Sequence, residues 1–309
     1  MSSPAAVPAA PAPVSYGTPS WMLRRDVRRF YRRVLLRLTE AGVPFLVGGG
    51  YALAHHAGIQ RPIKDLDLFL HPRDVDRARA VLGAHGWRTE VPFPHWLGKV
   101  RRGSDHVDLI YGAGNGVAAV DDEWFTYQVP AEVLGLPVGL CPPEETIWSK
   151  AFVMERERYD GSDVIHLLRA RASTLDWARL LRRFGPHWRV LFSHLLLFGF
   201  VYPGERAQVP VPVMRQCLRR LERELAAGDE PERTCQGTLL SRAQYLIDTQ
   251  EWGYADARLA PRGSMTEEET AIWTAAIADS RAPGAPAEAA TAVPITELHR
   301  SGMHPSDTP

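Results

Sequence analysis

The sequence contains few cysteines, few lysines and no long hydrophobic run, and each shortage excludes a class of protein. Cys141, Cys217 and Cys235 lie far apart without the paired spacing of a zinc site, so we expect reduced thiols in a cytoplasmic protein. The longest apolar segment, residues 190–201, is shorter than the roughly 20 residues that a membrane-spanning helix needs. The first twenty residues also differ from a signal peptide, so we expect no membrane association.

The charges are balanced, with 36 Lys and Arg residues against 36 Asp and Glu residues. A chain without net charge has no global field that attracts a polyanion, which disfavours a large nucleic-acid interface but allows a local one. Lys64, Lys99 and Lys150 are the only lysines, so each one is a candidate for a specific role.

One predicted helix carries seven arginines on one face: Arg24, Arg25, Arg28, Arg29, Arg32, Arg33 and Arg37. Apolar residues recur every three or four positions on its other face, which is typical of an amphipathic helix. We interpret the arginine face as a solvated surface, with RNA binding as the alternative.

At 309 residues the chain is long enough for two packed domains. We predict a proline-rich disordered lead over residues 1–20 and an α/β domain over 21–140. A helical domain over 141–260 and a mostly disordered tail over 261–309 are expected to follow. The expected fold class is α+β (α/β): a mixed sheet with flanking helices, followed by an α-helical domain.

Hydrophobic periodicity and turn residues give the predicted elements of both parts. In the α/β part the predicted helices cover residues 21–40, 51–56 and 74–85, and the strands cover 45–47, 64–70, 87–91, 95–101 and 106–111. In the helical part the predicted helices cover residues 144–158, 162–171, 175–184, 187–200 and 213–227.

The segment Lys64-Asp65-Leu66-Asp67-Leu68 places two carboxylates one residue apart in an apolar run. Side chains alternate between the two faces of a strand, so Asp65 and Asp67 share one face while the leucines face the core. Two like charges roughly 7 Å apart on a half-buried strand repel each other unless cations or donors lie between them. A third acid, Asp108, lies in the apolar run from His106 to Ile110, and the pattern suggests phosphate chemistry on Mg²⁺.

A glycine triplet, Gly48-Gly49-Gly50, follows a short apolar strand and precedes a predicted helix. Glycines at such a turn let the backbone approach a phosphate closely, and the amides of the helix N-terminus then point at the anion.

In this order and context, the glycine turn and the three acids resemble the nucleotidyltransferase superfamily of DNA polymerase β type. Within it, the resemblance is to the minimal bacterial and AbiEii-like nucleotidyltransferases, and it covers about residues 43–170. The resemblance implies that Asp65, Asp67 and Asp108 are the catalytic, metal-binding acids and that Asp108 helps to deprotonate the attacking hydroxyl. It also implies a nucleotide on Gly49 and Gly50, with Mg²⁺ or Mn²⁺ as cofactor and an NTP as substrate.

Three basic residues are further nucleotide-binding candidates. By the same resemblance, Lys150 contacts the β or γ phosphate of the nucleotide. Arg61 and Lys64 are expected either to contact phosphate or to be solvated charges on a loop, and the sequence leaves both alternatives open. Ile63 stands where AbiEii-like relatives have a threonine, so the function of that hydroxyl is lost here.

Two neighbouring sets of residues are assigned to other roles. Asp160 and Asp163 are expected to cap the next helix or to pair with Arg156 and Arg158, not to bind metal. The histidines, including His106, show no recognised ligand spacing.

The reaction that the resemblance implies is transfer of a nucleoside monophosphate from an NTP to an acceptor hydroxyl, with release of pyrophosphate. The acceptor stays open among a small molecule, RNA such as tRNA, and a protein. One alternative is a toxin-type nucleotidyltransferase with an antitoxin partner, and another is an inactive nucleotide-binding or regulatory module.

Overall fold

The computed structural model describes residues 23–59, 62–63, 65–228 and 233–280. The lead over residues 1–20 and the end of the tail, residues 281–309, lie outside the described residues. Arg61 and Lys64 also lie outside them, so their roles stay predictions.

The helices and strands follow the predicted order over most of the chain. The helices are α1 (Arg25–Glu40), α2 (Gly49–Ala57), α3 (Val75–Ala84), α4 (Asp122–Thr126), α5 (Pro143–Ala151), α6 (Gly161–Arg171), α7 (Trp177–Phe184), α8 (Trp188–Val201), α9 (Val211–Ala227), α10 (Leu246–Gln250) and α11 (Glu267–Ser280). The strands are β1 (Leu46–Val47), β2 (Leu66–Phe69), β3 (Arg88–Phe93), β4 (Leu97–Arg102), β5 (Asp105–Ile110), β6 (Val129–Val133), β7 (Leu136–Leu140), β8 (Thr234–Cys235) and β9 (Ala255–Asp256).

Seven strands form a mixed sheet in the order β3-β4-β5-β2-β1-β7-β6. Strand β2 pairs parallel with β5 and antiparallel with β1, and β1 pairs parallel with β7. Helices flank this sheet, and the chain beyond Pro143 is mainly helical. The predicted fold class is therefore confirmed.

The hairpin of β6 and β7 was not among the predicted strands. Pro130 and Pro137 interrupt its sequence pattern, since proline removes a backbone donor and is found mainly on sheet edges. The backbone amide of Cys141 donates to the carbonyl of Val47 at 3.0 Å, so β7 leads the chain back beside the glycine turn. Helix α5 consequently begins next to that turn.

Helix α5 is shorter than predicted, ending at Ala151 and not near residue 158. The chain turns back after α5, because the amide of Asp160 donates to the carbonyl of Val153 at 3.0 Å and Met154 forms a β-bridge with Tyr159. Periodicity alone did not reveal this reversal, which returns Asp160 to the side of Lys150.

Two apolar clusters hold the elements together. In the first, the buried face of α1 packs with α3 on one face of the sheet, where Leu66, Leu68, Val107 and Leu109 are fully buried. The second joins Leu46 and Leu53 to Ile147 and Leu168 of the helical part. The predicted boundary near residue 140 stays a prediction, but a continuous core crosses it.

The predicted disordered tail includes a helix in its described portion. Trp273 of α11 makes an edge-to-face contact with Phe93 at a centroid distance of 4.8 Å, and with Trp96 at 5.3 Å. Aromatic anchoring of this kind explains why residues 267–280 form a helix within the segment 261–309, which was predicted to be mostly disordered. In the part of the chain that the structure describes, no helix combines the length and apolarity needed to cross a membrane.

Candidate active site

The parallel pairing of β2 with β5 brings the predicted acids together. Asp67 lies directly opposite Asp108, and Leu66 lies opposite Val107. Asp65 and His106 each precede a paired residue by one position, so they are neighbours as well. Because side chains alternate along a strand, all four polar side chains lie on the face opposite the buried leucines.

The glycine turn closes over Asp67. Gly49 adopts a φ of +52°, and a Cβ added there would overlap the Asp67 carboxylate. The amide of Gly48 donates to the carbonyl of Asp67 at 3.0 Å, which ties the turn to β2. The N-terminus of α2 therefore lies directly beside the Asp67 carboxylate, as the sequence predicted.

The Asp67 carboxyl is held in an unfavourable environment for a negative charge. Burial, together with the nearby charges of Asp65 and Asp108, raises its pKa from 3.8 to about 7, although Lys150 and Arg158 oppose this shift. Among the described residues, its carboxylate has no ion-pair partner and accepts no hydrogen bond. A divalent cation would relieve the repulsion directly.

Three possible metal ligands lie close together: Asp65, His106 and Asp108 each offer one ligand atom, and these atoms lie within 4.8 Å of one another. The Nε2 atom of His106 is 3.6 Å from Oδ1 of Asp108. No metal-ligand spacing was recognised for His106 in the sequence, but its spacing from Asp108 already places the two side chains together. His106-Val107-Asp108 repeats the one-residue spacing of Asp65-Leu66-Asp67, which places both members of each pair on one strand face.

Lys99 was also missed as a site residue. It lies opposite Asp108 on β4, and its Nζ donates to both carboxylate oxygens, at 2.9 and 3.2 Å. The pair is well buried, with side-chain exposures of 19% for Lys99 and 13% for Asp108. Lys99 therefore partly neutralises the acids from the side away from Asp65 and Asp67.

Lys150 lies between two carboxylates, with Nζ 2.9 Å from Asp160 and 2.8 Å from Asp163. Arg158 also donates to Asp160, at 2.9 Å. Burial disfavours the Asp160 carboxylate, but Lys150 and Arg158 outweigh it and lower the pKa of Asp160 to about 2. Lys150 is thus anchored in an ion-pair cluster beside Asp67, and its contact with a phosphate stays a prediction.

A sequence model of the family described as "Uncharacterised nucleotidyltransferase" matches residues 24–187. No curated protein matches the chain.

Several solved structures are similar to part of the chain. The antibiotic-resistance factor ANT(2'')-Ia is 18% identical with a TM-score of 0.40, and the match covers 56% of this chain and 96% of that one. The lincosamide antibiotic adenylyltransferase LnuA, bound to lincomycin, is 14% identical with a TM-score of 0.34, covering 47% and 96%. An antigenic nucleotidyltransferase-like protein from Paracoccidioides brasiliensis is 15% identical with a TM-score of 0.37, covering 60% and 93%.

The close approach at the glycine turn predicts a specific effect of Gly49→Ala. Gly58→Ala is the matched control, because Gly58 also has a positive φ, +71°, but an added Cβ there meets no atom within 4 Å. Backbone strain alone should cost about 1–2 kcal/mol in the free energy of unfolding for Gly58→Ala. Gly49→Ala should cost more, because it also displaces Asp67. Equal losses in the free energy of unfolding of the two variants, measured by urea denaturation, would contradict the close contact between Gly49 and Asp67.

The ion-pair cluster predicts that Lys150→Met lowers the free energy of unfolding by about 3–5 kcal/mol at pH 7, since it removes the ammonium group that the buried carboxylates of Asp160 and Asp163 share. Arg169→Met is the control, because Arg169 pairs with Glu205 at the surface, where such pairs contribute roughly 0–1 kcal/mol.

The loss should depend on pH in one direction. The lowered pKa of Asp160 means that its stabilisation is complete above about pH 4 and disappears as the pH falls toward 2. The difference between wild type and Lys150→Met should therefore shrink over that range. A difference that stays constant to pH 2 would show that the cluster contributes through packing alone.

Proposed function

Because the chain belongs to the uncharacterised nucleotidyltransferase family that it matches over residues 24–187, we propose that it transfers a nucleoside monophosphate from an NTP to an acceptor hydroxyl, releasing pyrophosphate. The observation that carries this proposal is the shared strand face of Asp65, Asp67 and Asp108 beside the glycine turn. Substrate phosphates together with one or two carboxylates are the usual ligands of Mg²⁺ at such sites.

The residues fit a divalent cation. Carboxylate oxygens are ligands that Mg²⁺ and Mn²⁺ accept, and the Asp67 carboxylate makes no ion pair among the described residues. Asp65, Asp67 and Asp108 would hold the ion. When bound, it would neutralise phosphate oxygens of the NTP and so lower the cost of charge developing on the departing pyrophosphate.

The chain's own groups account for the remaining steps of the reaction. The amides at the start of α2 point toward the position that the triphosphate would occupy, and Gly49 leaves space for its close approach. Asp108 accepts the proton of the acceptor hydroxyl, and the resulting oxygen forms the new bond to the α phosphorus as the bond to pyrophosphate breaks. Lys99 holds the Asp108 carboxylate in place. Catalysis is then mainly positioning and charge neutralisation.

The experiment that tests this function follows the label of each α-labelled NTP, with Mg²⁺ or Mn²⁺, into RNA, protein and small-molecule extracts. Asp65→Asn and Asp67→Asn should each lower transfer by roughly 10³-fold, equivalent to about 4 kcal/mol of transition-state stabilisation. Asp76→Asn is the control, because Asp76 lies on α3 with a 92% exposed side chain.

Each outcome separates one class of function from another. Label in no extract, together with unmeasurable NTP binding by calorimetry, would favour the inactive module. Label in tRNA or a protein, with growth arrest on expression, would favour the toxin alternative and its antitoxin partner. Label in a small alcohol would identify a small-molecule acceptor. Transfer that survives both Asn variants would contradict the proposed site.

An RNA acceptor is the second candidate, and one observation favours it. The side chains of Arg28, Arg29 and Arg32 on α1 are exposed, and they have no acidic partner among the described residues. Tyr31, on the buried face of the same helix, is near enough to Asp65 that the charge of this acid adds to burial in raising the pKa of Tyr31. An exposed arginine surface without acidic partners among the described residues is the electrostatic pattern of a phosphate-backbone contact.

If RNA is the acceptor, the double variant Arg28→Glu/Arg32→Glu should weaken RNA binding and reduce its salt dependence. Arg28 and Arg32 are one helical turn apart on the same face, so both can contact one phosphate backbone. Each substitution should lower the slope of log affinity against log salt concentration by about one. The control is Arg219→Glu/Arg223→Glu, which reverses the charge of two exposed arginines on α9. Equal losses of RNA affinity in both double variants would indicate non-specific attraction.

A further inference from the structure

We propose that His106 is a direct ligand of the catalytic metal ion, and that the site therefore prefers an ion that binds imidazole, such as Mn²⁺ or Co²⁺, over Mg²⁺. This inference rests on the proposed function, because it specifies the cofactor of the same site. It adds a fourth side chain to the three acids that the sequence singles out.

The first argument is distance. The Nε2 atom of His106 lies 3.6 Å from Oδ1 of Asp108, which is longer than a hydrogen bond. Two atoms bound to one ion at about 2.1 Å are separated by roughly 3.0–4.2 Å, depending on the angle between the bonds. Asp65 is the third member of this group, because one ligand atom from each of the three residues lies within 4.8 Å of the other two.

The second argument is placement on rigid elements. His106 and Asp108 lie two residues apart on β5, and Asp65 directly precedes the paired strand β2. Their backbone positions are thus set by the sheet, and the side chain of His106 is 27% exposed. The strand neighbour of His106 on β4 is Arg101, whose guanidinium is engaged by Glu90 at 2.5 Å. Arg101 therefore leaves the imidazole nitrogen accessible to an ion.

The third argument is charge. Asp65, Asp67 and Asp108 place three carboxylates together, and of these only Asp108 has a cationic partner, Lys99, among the described residues within ion-pair distance. The Asp67 carboxylate, opposite Asp108 on β2, makes no ion pair with any described residue, so the negative charge of this group is only partly balanced. A neutral imidazole ligates a metal without adding to the repulsion among the carboxylates.

The metal preference follows from the donor set. Mg²⁺ takes oxygen ligands and retains its waters, whereas imidazole nitrogen binds Mn²⁺, Co²⁺ and Zn²⁺ more readily. A nitrogen ligand from His106 beside the carboxylate oxygens should therefore raise the affinity ratio of Mn²⁺ to Mg²⁺. This ratio is more informative than either affinity alone.

The experiment titrates the full chain with Mn²⁺ and with Mg²⁺, by calorimetry and by EPR of bound Mn²⁺, for wild type, His106→Ala and His106→Asn. Removing even an indirect partner of a metal ligand costs roughly 10–100-fold in affinity, so losing His106 should weaken Mn²⁺ binding at least about tenfold. Mg²⁺ binding should change much less, and the affinity ratio should fall. Pulsed EPR should detect nitrogen coupled to bound Mn²⁺ in wild type but not in either variant.

His85→Ala is the matched control, because His85 is exposed at the end of α3 and bonds only to the carbonyl of Val81 among the described residues. It should leave both affinities and the nitrogen coupling unchanged. Thermal melts verify that each variant is folded, and His106→Asn supplies a polar replacement if the alanine variant is not.

Two results would overturn the inference: an unchanged affinity ratio in both His106 variants, or no nitrogen coupling in wild type. Neither would affect the proposed function if Asp65→Asn still abolishes nucleotidyl transfer. Conversely, nitrogen coupling in a protein that transfers no label would retain the metal site and reject the reaction.

Discussion

The structure depends on the parallel pairing of two short strands, because that pairing forces like charges together. β2 and β5 place Asp67 opposite Asp108 and bring Asp65 next to His106. Their buried leucines and valine fix this register, since a shift by one residue would move those apolar side chains out of the core and the carboxylates into it. The same apolar packing that stabilises the sheet therefore maintains the electrostatic repulsion at the site.

Positive charge from two directions limits this repulsion. Lys99 reaches Asp108 from β4, and the cluster of Lys150 and Arg158 lowers the pKa of Asp67 from the helical side. Two of the chain's three lysines, Lys99 and Lys150, are therefore paired with acids in or beside the site. The residual excess of negative charge is what a divalent cation would neutralise.

The sequence was sufficient wherever a local rule fixes the outcome. Period-two alternation predicted that Asp65 and Asp67 share a face, and the glycine triplet predicted a turn beside them. The sequence was insufficient where contacts between distant segments of the chain determine the structure. Strands β6 and β7 contain prolines that weaken the local pattern, and α11 is ordered by Trp273 packing on Phe93. Lys99 joins the acids only once the pairing of β4 with β5 is known, whereas the spacing of His106 from Asp108 is already visible in the sequence.

The helical part contributes to the site as well as to the core. Helix α5 begins just after the hydrogen bond between Cys141 and Val47, and it carries Lys150 toward the acids. The reversal after Ala151 then returns Asp160 and Arg158 to the same place, and both are far along the chain from Asp67. Without this segment, the sheet would carry three carboxylates with Lys99 as their counter-charge among the described residues. The sheet positions the acids, but the balance of charge around them requires the helices that follow.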